Sequence, residues 1–157
     1  CFSGESAKKN PVEIGKIIAG IESNDFVNEL MEHGIKTEPI ARKWYEHKYS
    51  CKVVEKGLCV PKYDYRLGAS VDGDIIGEDG IIEIKCPKRM YSPILKYLET
   101  IKQGWKPPLG YYDHIWREHL CQCMQGMAVL KKKYCDYIVY STEDQLVFVQ
   151  RINFDPS

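Results

Sequence analysis

The sequence predicts an α/β domain built around a mixed β-sheet flanked by helices. Two observations carry this. Helical periodicity dominates residues 25–49 and 114–132, and β-forming residues bounded by turn signals fill 51–86 and 136–152. The order is therefore helices, strands, a long loop, a helix and strands, an interleaving that places helices against a sheet. At 157 residues there is room for one domain with a real core and not for two. Residues 1–157 are expected to form that single domain. The chain starts at Cys1 with no basic-then-apolar leader, which suggests a fragment whose upstream segment is missing.

The composition narrows the function classes. Hydrophobic residues are 44% and charged residues 28%, with no low-complexity tract, which excludes collagen, coiled coil and disordered tail. No apolar run approaches the roughly 20 residues of a spanning helix. Lys+Arg and Asp+Glu both total 22, so any nucleic-acid face must come from local clustering and not from a global field. Seven cysteines are an odd number in a chain with ample apolar residues, and this reads as reduced thiols in an intracellular protein. Cys121 and Cys123 lie about 200° apart around a helix and cannot grip one metal together.

The first amphipathic stretch is residues 11–21. Phe26, Val27, Leu30 and Met31 then predict a helix over 25–33, which Gly34 interrupts. Thr37-Glu38-Pro39 reads as the start of a second helix, with Ile40, Ala41, Trp44, Tyr45 and Tyr49 as its stripe. Cys51–Val60 and Tyr63–Val71, separated by Pro61-Lys62, predict an antiparallel pair closed by Asp72-Gly73. Ile75-Ile76, a turn at 77–80 and the run Ile81–Cys86 predict a hairpin. Its return strand alternates, with Ile82, Ile84 and Cys86 on one face and Ile81, Glu83 and Lys85 on the other. Residues 87–113 read as a long loop holding a short helix near 93–101. The clearest helix is 114–132, with core stripe Trp116, Leu120, Cys123, Met127 and Leu130, and with His119, Gln122 and Gly126 along one flank. A hairpin around Thr142-Glu143-Asp144 ends the chain.

Chemistry concentrates at Glu38, Asp72, Glu83 and Lys85. An acid at a strand end, followed 11 residues later by E-x-K on the adjacent hairpin strand, can gather two carboxylates and an ammonium around one point. Hard divalent cations take a few carboxylate oxygens plus water and keep positions open for phosphate. A neighbouring lysine holds the attacking water or stabilises charge at phosphorus. The bland alternative is an amphipathic strand with an exposed Glu/Lys face. Against it stand the isoleucines on both sides of Glu83, which imply a partly buried setting where charge wants a partner or a metal.

At these residues the sequence resembles the YqaJ-like viral recombinase group of PD-(D/E)XK nucleases, which includes the phage lambda 5′→3′ exonuclease. Residues 33–42 (HGIKTEPIAR) resemble the family's G-x-x-x-E-x-x-A-R helix, and Leu67–Gly73 its A-S-P-D-G turn. Ile82–Pro87 resembles its E-x-K-C-P strand, while Leu120–Gln122 and Cys135–Tyr140 resemble the closing helix and strand. The resemblance covers about residues 25–141. It implies a restriction-endonuclease-like core and Mg²⁺-dependent DNA hydrolysis, with Mn²⁺ as a substitute. Asp72, Glu83 and the main-chain carbonyl of Ile84 would hold metal, Lys85 would be the catalytic lysine, Glu38 would support a second metal or its water, and Gln122 would complete the site. Val71 departs from the family by replacing a proline. Met124 stands where a second glutamine is expected, and Gln125, about 100° further round the helix, cannot inherit its role.

The resemblance further implies duplex DNA ends as substrate, a homo-oligomer, and a single-strand annealing protein as partner, in viral or phage-type recombination or end resection. Relatives hold a DNA 5′ phosphate with an upstream segment that does not precede Cys1 here. Arg42, Lys88, Arg89, Lys102 and Lys106 are the candidate DNA contacts, with Tyr91, Trp105, Tyr111 and Tyr112 as stacking candidates. The run Lys131–Lys133 reads first as a solvated helix end. Two alternatives stand beside the exonuclease: an endonuclease of the same core, and a DNA-binding module without turnover.

Overall fold

A computed structural model describes residues 25–155. The expected pattern at 11–21 lies outside the described residues. The elements run α1 (Asp25–Tyr49), β1 (Val53–Val54), β2 (Leu58–Cys59), β3 (Ala69–Ser70), β4 (Gly73–Ile75), β5 (Gly80–Lys85), α2 (Ser92–Lys102), α3 (Arg117–Leu130), β6 (Tyr134–Ser141) and β7 (Leu146–Asn153). Five strands form one sheet in the order β1-β4-β5-β6-β7. Among the described strands of this sheet, only the β5–β6 pair is parallel. The expected mixed sheet flanked by helices is the observed one.

The chain from Asp25 to Tyr49 is one helix and not two, because neither Gly34 nor Pro39 breaks it. Pro39 cannot donate to the carbonyl of Ile35, but Ile35 is 69% exposed, where water can take that bond. Thr37, Ala41 and Tyr45 form a buried stripe at four-residue spacing straight past the proline. Packing therefore carries the helix through a local breaker. Ile40 and Tyr49, read as part of the stripe, face outward instead.

The antiparallel pair expected from 51–60 and 63–71 does not form as read. Val53–Val54 joins the main sheet against β4, while Leu58–Cys59 pairs with Ala69–Ser70 in a separate two-stranded arm. The intervening Val60, Tyr63, Tyr65 and Leu67 are exposed, so their side chains have no sheet face to cover.

The hairpin of β4 and β5 pairs Gly73 with Ile82 and Asp74 with Ile81. The alternation along β5 is as read, but both faces are covered. Ile81 packs with Val71, Ile94, Cys123 and Met127 beneath α2 and α3, and Ile82 and Ile84 pack with Ala41, Tyr45 and Ile138 beneath α1. A strand covered on both sides has no solvent face, so the exposed Glu/Lys face of the bland reading is absent. On the α1 side, Tyr45 Oη donates to Asp136 Oδ2 at 2.5 Å, and Arg151 grips the same carboxylate with Nε and Nη2 at 2.8 and 2.9 Å. The buried charge is thus paired as its desolvation requires.

Helix α3 starts at Arg117 and not at 114, with Trp116 at its N-cap. Trp116 is 43% exposed and leaves the expected core stripe to stack on Tyr91, while Cys123 and Met127 hold their buried places. Cys51, Cys59, Cys86, Cys123 and Cys135 are free thiols. Cys121 is disulfide-bonded, contrary to the expectation of reduced thiols throughout, and it sits half-buried on the side of α3 turned away from Cys123. The Lys131–Lys133 run is engaged as a helix end: Lys132 pairs with Asp74, Lys133 with Asp79, and Lys131 lies over the Tyr63 ring. Among the described residues no helix is long and apolar enough to cross a membrane.

Candidate active site

The register of the β4–β5 hairpin builds the site. Continuing it one residue beyond Gly73 sets Asp72 opposite Glu83. Gly73 permits this turn into β4 because a Cβ there would lie 2.2 Å from Val53 Cγ1, so only glycine lets the strand lie this close to β1. The Ile84 N–H donates to Asp72 Oδ2 at 2.6 Å, fixing the carboxylate across the strand pair. Two residues beyond Glu83 on the same face, Lys85 Nζ lies 2.8 Å from Glu83 Oε1.

Helix α3 closes the site from one face of the sheet. A Cβ on Gly126 would meet Val71 Cγ1 at 2.8 Å and Ile81 Cδ1 at 3.0 Å, so the glycine lets the helix settle onto β5. One turn earlier, Gln122 Oε1 accepts from Lys85 Nζ at 2.7 Å. His119, a further turn back, shares a 2.7 Å hydrogen bond with Tyr137 Oη. Met124 is only partly buried, packed against the core, and Gln125 donates to the Gly68 carbonyl at 2.5 Å. Gln125 thus braces the arm that leads into Asp72 and lies apart from Lys85. The three-and-four spacing of His119, Gln122 and Gly126 was legible, but the need for glycine at 126 became visible only with Val71 and Ile81 in place.

From the other face, α1 brings Glu38. Arg42, one turn on, donates through Nη2 to Glu38 Oε1 at 2.6 Å and through Nε to the Asp72 carbonyl at 3.0 Å. It also reaches Glu55 Oε2 at 3.3 Å. The guanidinium, read as a DNA contact, is committed to the site's own carboxylate and backbone. That reach of 30 residues had no sequence signal beyond the A-R that ends the motif.

The electrostatics are those of crowded acids. Burial, then the negative field of Asp72, raises the Glu38 carboxyl above its usual range. Burial raises Asp72 as well, opposed by the Ile84 N–H, Lys85 and Arg42. Glu83, 7% exposed, is pushed up to about 7, chiefly by burial, with Lys85 opposing and Asp72 and Glu38 adding to the rise. A divalent cation between Asp72 and Glu83 would relieve this repulsion, and the donor set suits a hard cation. No group of three or more His, Cys, Asp or Glu side chains among the described residues is arranged to hold a metal. A cation would therefore rest on two carboxylates, with main-chain and water oxygens completing its shell.

The remaining candidate DNA contacts lie elsewhere on the surface. Lys88 pairs with Glu29, and Arg89 with Glu143. The segment carrying them is clamped to the β6–β7 turn, where the Glu143 N–H and Ser141 Oγ donate to the Lys88 carbonyl and the Met90 N–H donates to Asp144 Oδ2. Lys102 ends α2, and Lys106 follows in the loop; both are exposed. Among the stacking candidates, Tyr91 packs on Trp116, while Trp105 and Tyr111 face each other edge-on.

The model of the YqaJ-like viral recombinase domain matches residues 3–136. The chain belongs to this family. The YqaJ-like domain also has solved structures similar to it. An alkaline exonuclease, LHK-Exo, from Laribacter hongkongensis is 28% identical with a TM-score of 0.62, over 99% of this chain and 73% of that one. Its complex with dAMP aligns at 32% identity and TM-score 0.60, over 90% of this chain and 66% of that one. A phage-related exonuclease from Haemophilus somnus 129PT shares the fold at 14% identity and TM-score 0.56, covering 97% and 74% of the two chains. No curated protein matches the sequence. The five-stranded mixed sheet with helices on both faces is the lambda-exonuclease-like PD-(D/E)XK fold.

Proposed function

We propose that this YqaJ-like domain is a nuclease that hydrolyses DNA phosphodiester bonds with Mg²⁺, or Mn²⁺ in its place, acting as a 5′→3′ exonuclease on duplex ends in viral or phage-type recombination or end resection. The observation that carries the reading is the convergence of Asp72, Glu83 and Lys85 on one point, with Gln122 bonded to the lysine. The likeness to alkaline exonucleases supports it.

Asp72 and Glu83 would hold the cation, helped by the Ile84 main-chain carbonyl, with Glu38 serving a second metal or its water. When bound, Mg²⁺ polarises the scissile phosphate and lowers the pKa of its water. The chain's own residues do the rest. Lys85, fixed between Glu83 and Gln122, keeps its third ammonium proton for the attacking water or a phosphoryl oxygen. Arg42 holds Glu38 against the Asp72 backbone and so sets the spacing of the carboxylates. Lys88, Arg89, Lys102 and Lys106 would meet phosphates. The ion pairs of Lys88 and Arg89 lie at the surface, where solvent screening leaves them weak enough for a phosphate to displace.

Linear duplex DNA labelled at its 5′ ends, incubated beside a covalently closed circle with Mg²⁺ or chelator, tests the reading. Early release of 5′-labelled mononucleotides with an intact circle is the expected result. A nicked circle would replace it with an endonuclease, and binding without cleavage with a DNA-binding module.

A further inference from the structure

Two strands along the same face of the sheet from Lys85, α2 and the loop that follows it enclose an open groove of about 500 Å³. Its walls are Tyr97, Trp105, Tyr111 and His114, with Lys96 and Asp113 as charged groups. Tyr97 stacks on His114 with ring centroids 3.6 Å apart, and Tyr111 lies nearly parallel to Tyr97, at an interplanar angle of 15°. Trp105 stands at 87° to Tyr97 and 78° to Tyr111, so the groove offers a planar ligand two aromatic walls at right angles. Trp105 remains 40% exposed, although such an indole usually finds cover in a core.

Strand register ties this groove to the candidate active site. Lys85 pairs with Val139, and Val139 with Phe148, so the three residues form one row across β5, β6 and β7. At roughly 4.8 Å per strand, Phe148 lies about 10 Å from Lys85 on the same sheet face. Tyr97 and His114 both pack edge-on against Phe148, at 6.2 and 5.6 Å. A strand a few nucleotides long can therefore span the two places.

We propose that the groove walled by Tyr97, Trp105 and Tyr111 is a binding site for single-stranded DNA, stacking bases on its rings and taking a backbone phosphate at Lys96. This deepens the nuclease reading and rests on it, since an exonuclease on duplex ends leaves one unpaired strand beside its site. The charges agree: Lys96 lines the groove, and Lys102 and Lys106 flank Trp105 in the chain. Asp113 can accept from a base amino group, so the pairing is with a nucleotide and not with a bare anion. Aromatic rings with flanking cations bind single strands with little regard to sequence.

The test is the affinity of a fluorescein-labelled oligothymidylate in chelator, where no cleavage competes, for the full chain and for Trp105→Ala, Trp105→Phe and Lys96→Ala. Trp105→Ala is expected to bind roughly 5- to 100-fold more weakly with an unchanged melting temperature. Trp105→Phe retains most of the affinity, and Lys96→Ala shows a shallower salt dependence. Equal affinity in Trp105→Ala and the wild type overturns the proposal. So does thymidine monophosphate binding as tightly as the oligomer, since the groove would then hold a free nucleotide and not a strand. A change in solution mass on Trp105→Ala with affinity intact also overturns it, by making the groove an interface between copies. The nuclease reading is judged apart, by Mg²⁺-dependent cleavage: a wild type that cleaves while Trp105→Ala binds normally sinks only the groove. A groove that binds in a protein that never cleaves sinks only the nuclease.

Discussion

Gln122 Oε1 lies 2.7 Å from Lys85 Nζ, joining helix α3 to the end of β5 across 37 residues of sequence. The contact leaves the ammonium bonded on two sides, to Gln122 and to Glu83, with one donor to spare. Gln122→Ala should therefore lower turnover by roughly 10- to 100-fold through a misplaced lysine, with KM nearly unchanged. Because Gln122 is exposed, the melting temperature should stay close to that of the wild type. Steady-state kinetics beside thermal melting checks both halves.

Gly126 sets the distance at which that contact forms. Gly126→Ala places a methyl group 2.8 Å from Val71 Cγ1 and 3.0 Å from Ile81 Cδ1, both in the packed core. Overpacking of this kind costs about 1–3 kcal/mol. Chemical denaturation should show that loss, and turnover should fall with it, since α3 must move outward and carry Gln122 from Lys85.

The carboxylate cluster predicts how stability responds to pH. Glu83 holds its proton to about pH 7 in the folded chain, against an ordinary 4.5, so between those values the folded state binds more protons than the unfolded one. Stability then falls as pH rises through that window, and the raised Asp72 and Glu38 act in the same direction. Without metal, the melting temperature should drop from about pH 5 to pH 7. Added Mg²⁺ should flatten the slope, because a bound cation favours the ionised carboxylates. A melting series at several pH values with chelator or Mg²⁺ measures it.

Asp136 tests the frame apart from the site. Asp136→Asn weakens the grip of Arg151 and alters the bond from Tyr45, at a cost of about 1–3 kcal/mol. The folded fraction should keep its cleavage rate, as Asp136 lies on the α1 side of the sheet, away from Lys85. Denaturant titration and rate per folded molecule separate the two effects.

The sequence made the central site legible because its signals are short in range. E-x-K fixes Glu83 and Lys85 to one face by the two-residue period of a strand, and the hairpin turn brings Asp72 alongside. Helical spacing placed Gln122 on the flank of α3 that meets Lys85. What failed depended on tertiary context. Gly34 and Pro39 signalled a break that the buried stripe of Thr37, Ala41 and Tyr45 overrides. The β-rich stretch 51–71 divides between two sheets, which local propensity cannot express. The reach of Arg42 to Glu38 and to the Asp72 carbonyl had no local signal either.

The rate of the first turnover on linear duplex DNA at saturating Mg²⁺, compared between the wild type and Lys85→Ala, bears most directly on the proposed site. Loss of one such positioned donor costs roughly 100-fold or more in rate, and duplex affinity in chelator should be retained. An unchanged first-turnover rate in Lys85→Ala would mean that the cluster of Asp72, Glu83 and Lys85 does not carry the chemistry.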